Sequence, residues 1–185
     1  MRMFFVFGPP SRFTALMSIN GPVAGIGFAL SCYCDVRFAA AGAKFTTAHG
    51  KLGLPCAFGL AWLLPKLVGL PGALDLILSS RTFTAEEALD LGLVTAVVPA
   101  DRLADAVGGY ARTLATSVSP ASMAASKRQV YEAFHSSAAE SVRTAEALIG
   151  PMMAGPDYRE GVAALREKRV PVFGDLPTGD GRAGE

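Results

Sequence analysis

A glycine-punctuated turn, Gly25-Ile26-Gly27, is the feature of this chain best suited to chemistry. It leads directly into an apolar stretch, residues 27–34, that contains no lysine to bind a phosphate. Such a turn aims backbone N–H groups at one point in space, with the positive end of a helix dipole behind them. An oxyanion that develops during a reaction would be stabilised at that point. From these three residues alone, a tight turn that only serves close helix packing remains an alternative.

Two side chains further along the chain could move protons or act as nucleophiles. His49 could serve as a general base, because imidazole changes its protonation near neutral pH. The alternative is that His49 is a turn residue with an ordinary hydrogen bond. Cys56 follows after a short loop, so a Cys–His nucleophile pair is conceivable. Packing is the simpler interpretation of Cys56, since nothing positive besides His49 would lower the pKa of its thiol.

Composition and motif spacing disfavour several other functions. The 185 residues carry a formal net charge of +1 and 18% charged residues, so no nucleic acid or other polyanion is indicated as a partner. The dinucleotide-binding pattern G-x-G-x-x-G fails, because its third glycine would fall at Leu30. An odd count of three cysteines without zinc-type spacing argues against a disulfide scaffold and against a structural metal, and it favours a cytoplasmic protein.

No membrane anchor is expected from the sequence. The short apolar start, residues 1–7, is interrupted by Gly8-Pro9-Pro10 before it reaches the length of a signal peptide. We found no apolar run that approaches the roughly 20 residues of a membrane span.

Hydrophobic periodicity and turn residues predict the elements that must position the turn and His49. Strands are predicted at residues 13–19, 36–40, 44–46 and 95–98. Helices are predicted at residues 25–34, 60–68, 73–78, 85–91, 101–116, 120–134, 138–153 and 158–168. Pro65 should kink or end the second helix, and Ser119 should cap the helix at residue 120. Thr84 and Glu87 have the spacing of a capping box, and Gly92 suits the end of the same helix.

Taken in order, several motifs resemble the crotonase family, the enoyl-CoA hydratases and isomerases. They cover residues 15–173 and are Asn20-Gly21 with Gly25-Ile26-Gly27, Cys34-Asp35-Val36-Arg37, Ala43-Lys44-Phe45, Lys51-Leu52-Gly53-Leu54-Pro55, Arg81 to Ala88, Leu91-Gly92-Leu93-Val94, and Asp157 to Phe173. The resemblance implies an α/β fold of the crotonase type, a partial β-spiral with a helical C-terminal trimerisation region. It divides the chain into an atypical start (residues 1–14), a core (15–99) and a helical region (100–173). The remaining tail (174–185) is rich in Gly and Asp, and this composition predicts disorder.

The same resemblance implies an acyl-CoA site. Gly25, Ile26 and Gly27 would form half of an oxyanion hole, with the Ile26 N–H as the donor to a thioester carbonyl. Lys168 matches a position near the CoA phosphates, although a solvated helix lysine is an equal alternative. The further residues that would line the pocket are Ala29, Pro55 and Cys56. Coenzyme A would arrive as part of the substrate, and no separate cofactor or metal is expected.

Departures from the family pattern limit the implied activity. Hydratases of this family use two glutamates, and those positions hold Ala29 and His49 here. We also find nothing in residues 1–13 that resembles the family's front strands. A second oxyanion donor would therefore have to come from those residues or from a neighbouring subunit. The expected function is an enoyl-CoA hydratase or isomerase homologue that acts on acyl-CoA thioesters in fatty-acid metabolism, assembled as a homotrimer or hexamer. Open alternatives are a non-catalytic acyl-CoA-binding homologue and a truncated product with little function of its own.

Overall fold

The computed structural model describes residues 12–176, and the expectations for residues 1–11 and 177–185 lie outside that range. Two compact units are present. The first comprises residues 13–110, and the second comprises residues 111–176 together with Arg12. The helix Leu103–Ser117 crosses this division. The boundary between the units therefore lies eleven residues beyond the one we predicted after the last strand.

Six short strands form two small sheets in the first unit. The strands are β1 Leu16–Ile19, β2 Val23–Ala24, β3 Val36–Ala40, β4 Lys44–Thr46, β5 Phe83–Thr84 and β6 Ala96–Val98. In one sheet β1, β3 and β6 pair in parallel, with β3 in the centre. In the other, β4 pairs in parallel with β2 and antiparallel with β5. The predicted strands at residues 36–40 and 44–46 are confirmed with the same bounds.

Four helices accompany these sheets. They are α1 Ile26–Cys32, α2 Leu60–Ser79, α3 Ala85–Asp90 and α4 Leu103–Ser117. Short 3₁₀ turns cover Gly50–Leu52 and Ala100–Arg102. The main core includes three aromatic rings, with Phe83 stacked on Phe45 at 5.4 Å and edge-on to Phe28 at 6.0 Å between centroids. This cluster ties α1 to the sheet of β2, β4 and β5, which positions the turn at Gly25.

The helix α2 has a kink at Gly69, between the two helices predicted at residues 60–68 and 73–78, and has no break at Pro65. It continues through Pro65 and leaves helical geometry only at Gly69, whose φ is 74° and ψ is 160°. Pro71 then lies in the first turn of the second half, where a missing N–H costs little. At 20 residues, α2 is long and apolar enough by composition to cross a membrane, which corrects the expectation that no segment approaches that length. Several of its leucines, Leu60, Leu63, Leu64 and Leu76, lie in the core of the first unit.

The ends of α3 follow the prediction in part. The Thr84 hydroxyl accepts the Glu87 N–H at 3.3 Å, as an N-cap should. The Glu87 carboxylate does not reach back, because it forms a bidentate pair with Arg81 instead. A charge-assisted fork of this kind is stronger than a neutral backbone contact. Gly92, with a φ of 72°, ends the helix as predicted.

The second unit is helical, as expected. It contains α5 Pro120–Ala133, α6 Ala138–Ala154 and α7 Pro156–Glu167. Ser119 caps α5 by accepting the Ser122 N–H, and its hydroxyl also donates to Asp157 at the start of α7. The architecture is therefore mixed α/β with a helical C-terminal region.

Candidate functional site

The turn at Gly25 is built by a backbone conformation that favours glycine. Its φ of 51° and ψ of −120° lie in a region that side chains with a Cβ rarely adopt. The Gly25 N–H donates to the Thr46 carbonyl at 3.3 Å, which extends the pairing of β2 with β4 by one residue. The chain then turns into α1, whose first helical bond runs from Ala29 N–H to the Gly25 carbonyl at 3.0 Å.

The Ile26 N–H is available at the start of α1. Because Ile26 is the first helical residue, its N–H has no acceptor within the helix. Among residues 12–176 no other group accepts it either. The Ile26 side chain is 56% exposed. A free donor thus lies where we predicted the oxyanion contact, and its contact with a thioester remains a prediction.

Parallel pairing brings the turn and the segment with His49 to the same sheet edge. Ala24 of β2 is paired with Thr46 of β4. Both strands end there, so Gly25-Ile26 and the residues that follow Thr46 leave from neighbouring carboxyl ends. Ligand sites of sheets with parallel strands commonly lie at such ends.

His49 is buried, with one polar atom left without a partner. The side chain is 7% exposed, and none of the described residues hydrogen-bonds its Nδ1. Its backbone carbonyl, in contrast, accepts the N–H groups of Leu52 and Leu54, both at 3.0 Å. An orphaned polar atom inside a protein is uncommon and calls for an explanation. The backbone of His49 therefore behaves as an ordinary turn residue, while its side chain keeps a capacity for proton transfer.

Ala29 cannot take part in proton transfer. It lies in α1 with 0% exposure, and its methyl group carries no titratable proton. The position that the family resemblance aligned with a catalytic glutamate holds a buried methyl group.

Pro55 and Cys56 lie in the loop between the 3₁₀ turn and α2. Pro55 is exposed, while Cys56 is partly buried and packs against the main core. Burial raises the pKa of the Cys56 thiol, and a backbone hydrogen bond from Ala61 lowers it by less. A raised pKa disfavours the thiolate, which a nucleophilic cysteine needs.

The remaining predicted contact belongs to the second unit. Lys168 is exposed and caps α7 with a left-handed φ of 54°. Its contact with CoA stays a prediction. Within residues 12–176, no group of three or more His, Cys, Asp or Glu side chains is placed to hold a metal ion.

Two buried hydroxyl groups near His49 were missed from the sequence. Thr47 is 1% exposed and Ser80, at the end of α2, is 0% exposed. Thr47 follows a predicted strand and precedes His49, which was a usable signal. Ser80 lies about thirty positions away in the sequence, and no pattern there indicates contact with the segment.

Comparison with known proteins relates this chain to one family. A family model described as enoyl-CoA hydratase/isomerase matches residues 13–176. A "probable enoyl-CoA hydratase" of Mycobacterium tuberculosis is 39% identical over 165 residues, which cover 88% of this chain and 63% of that protein. The 1,2-epoxyphenylacetyl-CoA isomerase of Escherichia coli K12 is 35% identical over 162 residues, or 85% and 60% of the two chains.

Solved structures show the same likeness. The crystal structure of a "probable enoyl-CoA hydratase/isomerase" from Mycobacterium abscessus matches with a TM-score of 0.86 and 30% identity. The match covers 89% of this chain and 67% of that one. An enoyl-CoA hydratase from Bacillus anthracis matches with a TM-score of 0.84 and 28% identity, over 88% and 62%. The chain spans about six tenths of the length of the curated relatives it matches.

Proposed function

The chain belongs to the enoyl-CoA hydratase/isomerase family and has the crotonase fold, and from this premise we propose that it binds acyl-CoA thioesters. The Ile26 N–H would donate to the thioester carbonyl, which draws electron density from the α-carbon. The observation that carries this proposal is the Ile26 N–H, which no residue among 12–176 accepts and which the turn at Gly25 holds at the sheet edge.

Proton transfer in this proposal depends on His49. A neutral imidazole can accept a proton through one ring nitrogen, and the unpartnered Nδ1 leaves that nitrogen uncommitted among residues 12–176. Adding water across a double bond needs a positioned base and a positioned acid, each worth about 10²–10⁴-fold. Because Ala29 provides neither, we expect hydration to be slow.

A non-catalytic acyl-CoA-binding protein is the second candidate. The methyl side chain of Ala29 supports it, because it has no group that could donate or accept a proton. The two candidates differ in one measurable respect. A weak enzyme would show hydration that depends on His49, whereas a binding protein would bind the thioester without turning it over.

Binding and turnover measured side by side test both candidates. Crotonyl-CoA and its saturated analogue butyryl-CoA would be titrated calorimetrically, with free coenzyme A as the matched control. Loss of the enoyl-thioester absorbance would report hydration. We expect both thioesters to bind more tightly than free coenzyme A. If free coenzyme A bound as tightly as the thioesters, the proposed contact with the carbonyl would be wrong. Turnover near the usual enzyme rate of about 10 s⁻¹ would show that hydration is not impaired.

Three further features belong to the same proposal. We propose that the chain forms homotrimers or hexamers through its helical region, where Val142, Ile149 and Leu165 are 55%, 54% and 80% exposed. Sedimentation as a monomer at tens of micromolar, where typical stable interfaces are saturated, would contradict this.

Replacing Lys168 by alanine should weaken binding of free coenzyme A as well as of its thioesters. A cytoplasmic location, with coenzyme A arriving only as part of the substrate, completes the proposal, and cell fractionation would test the location.

A further inference from the structure

The hydroxyl of Ser80 lies at the contact between the end of α2 and the segment that carries His49. Its Oγ accepts the Gly50 N–H at 2.9 Å and lies 3.2 Å from the Thr47 hydroxyl. The same Oγ donates to the Ile77 carbonyl at 3.3 Å, one of the last carbonyls of α2. One buried hydroxyl therefore connects the residues on both sides of His49 to the end of a core helix.

Ser80 holds this position in a conformation that serine rarely adopts. Its φ of 46° and ψ of 30° lie in the left-handed region, where glycine usually ends a helix. A glycine would avoid the strain but would lack the hydroxyl. Ala48, next to His49, is also left-handed, with a φ of 62°. Strained non-glycine residues persist where surrounding contacts over-determine them, and they concentrate at functional sites.

Gly50 and Ser80 fit one another closely. A Cβ added to Gly50 would come within 2.8 Å of the Ser80 Oγ, a distance that real Cβ atoms essentially never show. The hydroxyl thus occupies the space that a side chain at position 50 would need. This fit makes the contact between the two residues specific.

The contact between Gly50 and Ser80 fixes the backbone next to His49. None of the described residues holds its Nδ1, so no hydrogen bond at that atom orients the ring. The ring is buried, and it is attached to the backbone of residues 48–50. That backbone is fixed to α2 through Gly50 and Ser80.

We propose that Ser80 is a positioning residue for His49, whose hydroxyl fixes the backbone that sets the place of the imidazole ring. The inference rests on the proposed role of His49 in proton transfer. It predicts that loss of the hydroxyl disorders the ring while the fold is retained.

Magnetic resonance of the full chain tests the proposal directly. The variants are Ser80→Ala and Ser80→Gly, with Ser79→Ala as control, since the Ser79 hydroxyl bonds Asp75 and Arg81 instead. In both Ser80 variants, amide exchange of Gly50 should accelerate about five-fold, the factor for one typical hydrogen bond. The ring signals of His49 should move towards those of an exposed histidine.

The chain's only other histidine, His135, is exposed and provides an internal reference. Ser79→Ala should leave both the Gly50 exchange rate and the His49 ring signals unchanged. If Ser80→Ala fails to fold, Ser80→Gly carries the test, because glycine relieves the backbone strain. Unchanged ring signals and exchange in a folded Ser80→Gly variant would overturn the proposal.

A double substitution tests the close fit separately. Gly50→Ala should lower the unfolding midpoint in the parent, where the new Cβ meets the hydroxyl, and much less in the Ser80→Gly background. Equal lowering in both backgrounds would contradict the fit.

Residual hydration separates this inference from the proposed function. If both are right, kcat falls in Ser80→Gly while KM stays unchanged, because substrate binding does not use the hydroxyl. Disordered ring signals with unchanged kcat would support the positioning by Ser80 and remove His49 from the reaction.

Discussion

Replacing Ile26 by proline would remove one donor from the carbonyl-binding turn and keep the turn itself. Ile26 is the first residue of α1, and no described residue accepts its N–H. Proline is well tolerated at the first helical position, because the lost N–H makes no helical bond there. The preceding Gly25 has no Cβ to clash with the proline ring. We therefore expect the free energy of unfolding to change by less than about 1 kcal/mol, as for an ordinary surface substitution.

The effect on the site should be larger, and it should differ between binding and turnover. A hydrogen bond to the ground-state thioester contributes about 1 kcal/mol, so affinity should fall about five-fold. Loss of one oxyanion donor in the transition state typically costs about 3–4 kcal/mol, so residual hydration should fall about 10²–10³-fold. A change that only distorted the pocket would affect both quantities similarly.

Ile26→Ala is the matched control, because it trims a half-exposed side chain and keeps the N–H. Calorimetry would give the affinity for butyryl-CoA. Infrared difference spectra of the thioester labelled with ¹³C at the carbonyl would report its polarisation. In Ile26→Pro the carbonyl band should return towards its frequency in water-free solvent, whereas Ile26→Ala should retain the parent's band. Identical bands and affinities in the two variants would refute the assignment of this N–H.

The remaining predictions concern proton transfer, the core and the C-terminal helix. Residual hydration should fall about 10²–10⁴-fold in His49→Ala; equal turnover of the two chains would exclude His49. Phe83→Ala should destabilise the chain by about 3–5 kcal/mol in denaturant unfolding, since its buried ring packs against two others. Hydrogen bonds from Arg169 and from a backbone N–H lower the pKa of the Glu160 carboxyl to about 2. Its stabilising effect is complete above the unfolded value near 4.5 and is lost as pH falls towards 2, so acid should release the chain end that follows α7; Glu160→Gln should show this release at neutral pH, and Glu167→Gln should not.

The local features were predictable from the sequence because each has a local physical cause. The strands at residues 36–40 and 44–46 are short segments on either side of a turn at Gly42, whose φ is 75°. Ser119 caps α5 because its hydroxyl is the nearest acceptor for a free N–H. The Gly25 turn was recognised because few residues besides glycine adopt its backbone angles.

Features that depend on contacts between distant residues were not predictable in the same way. Pro65 alone indicates a helix end, yet burial of Leu63 and Leu64 in the core favours a continuous helix up to Gly69. The Glu87 carboxylate could bind either the backbone N–H at the start of α3 or the guanidinium of Arg81. Only the folded chain shows that Arg81 is close enough to bind it. The contact of Ser80 with Gly50 joins residues that no short-range pattern relates.

In the proposed function, Ala29 and His49 replace two catalytic glutamates in different ways, and the difference bears on the reaction. A carboxylate at position 29 would have to replace a methyl group that is fully buried, and it would lose its hydration there. His49 retains a group that can carry a proton. Adding water to a double bond needs an acid and a base, and His49 alone cannot be both at once. Removing an α-proton and returning it needs only one base and the polarised carbonyl. If His49 is the base, as proposed, we expect enolate formation to be faster than hydration. Exchange of the α-protons of butyryl-CoA with deuterium from the solvent should proceed faster than hydration of crotonyl-CoA, and it should disappear in His49→Ala; exchange slower than hydration would contradict this order.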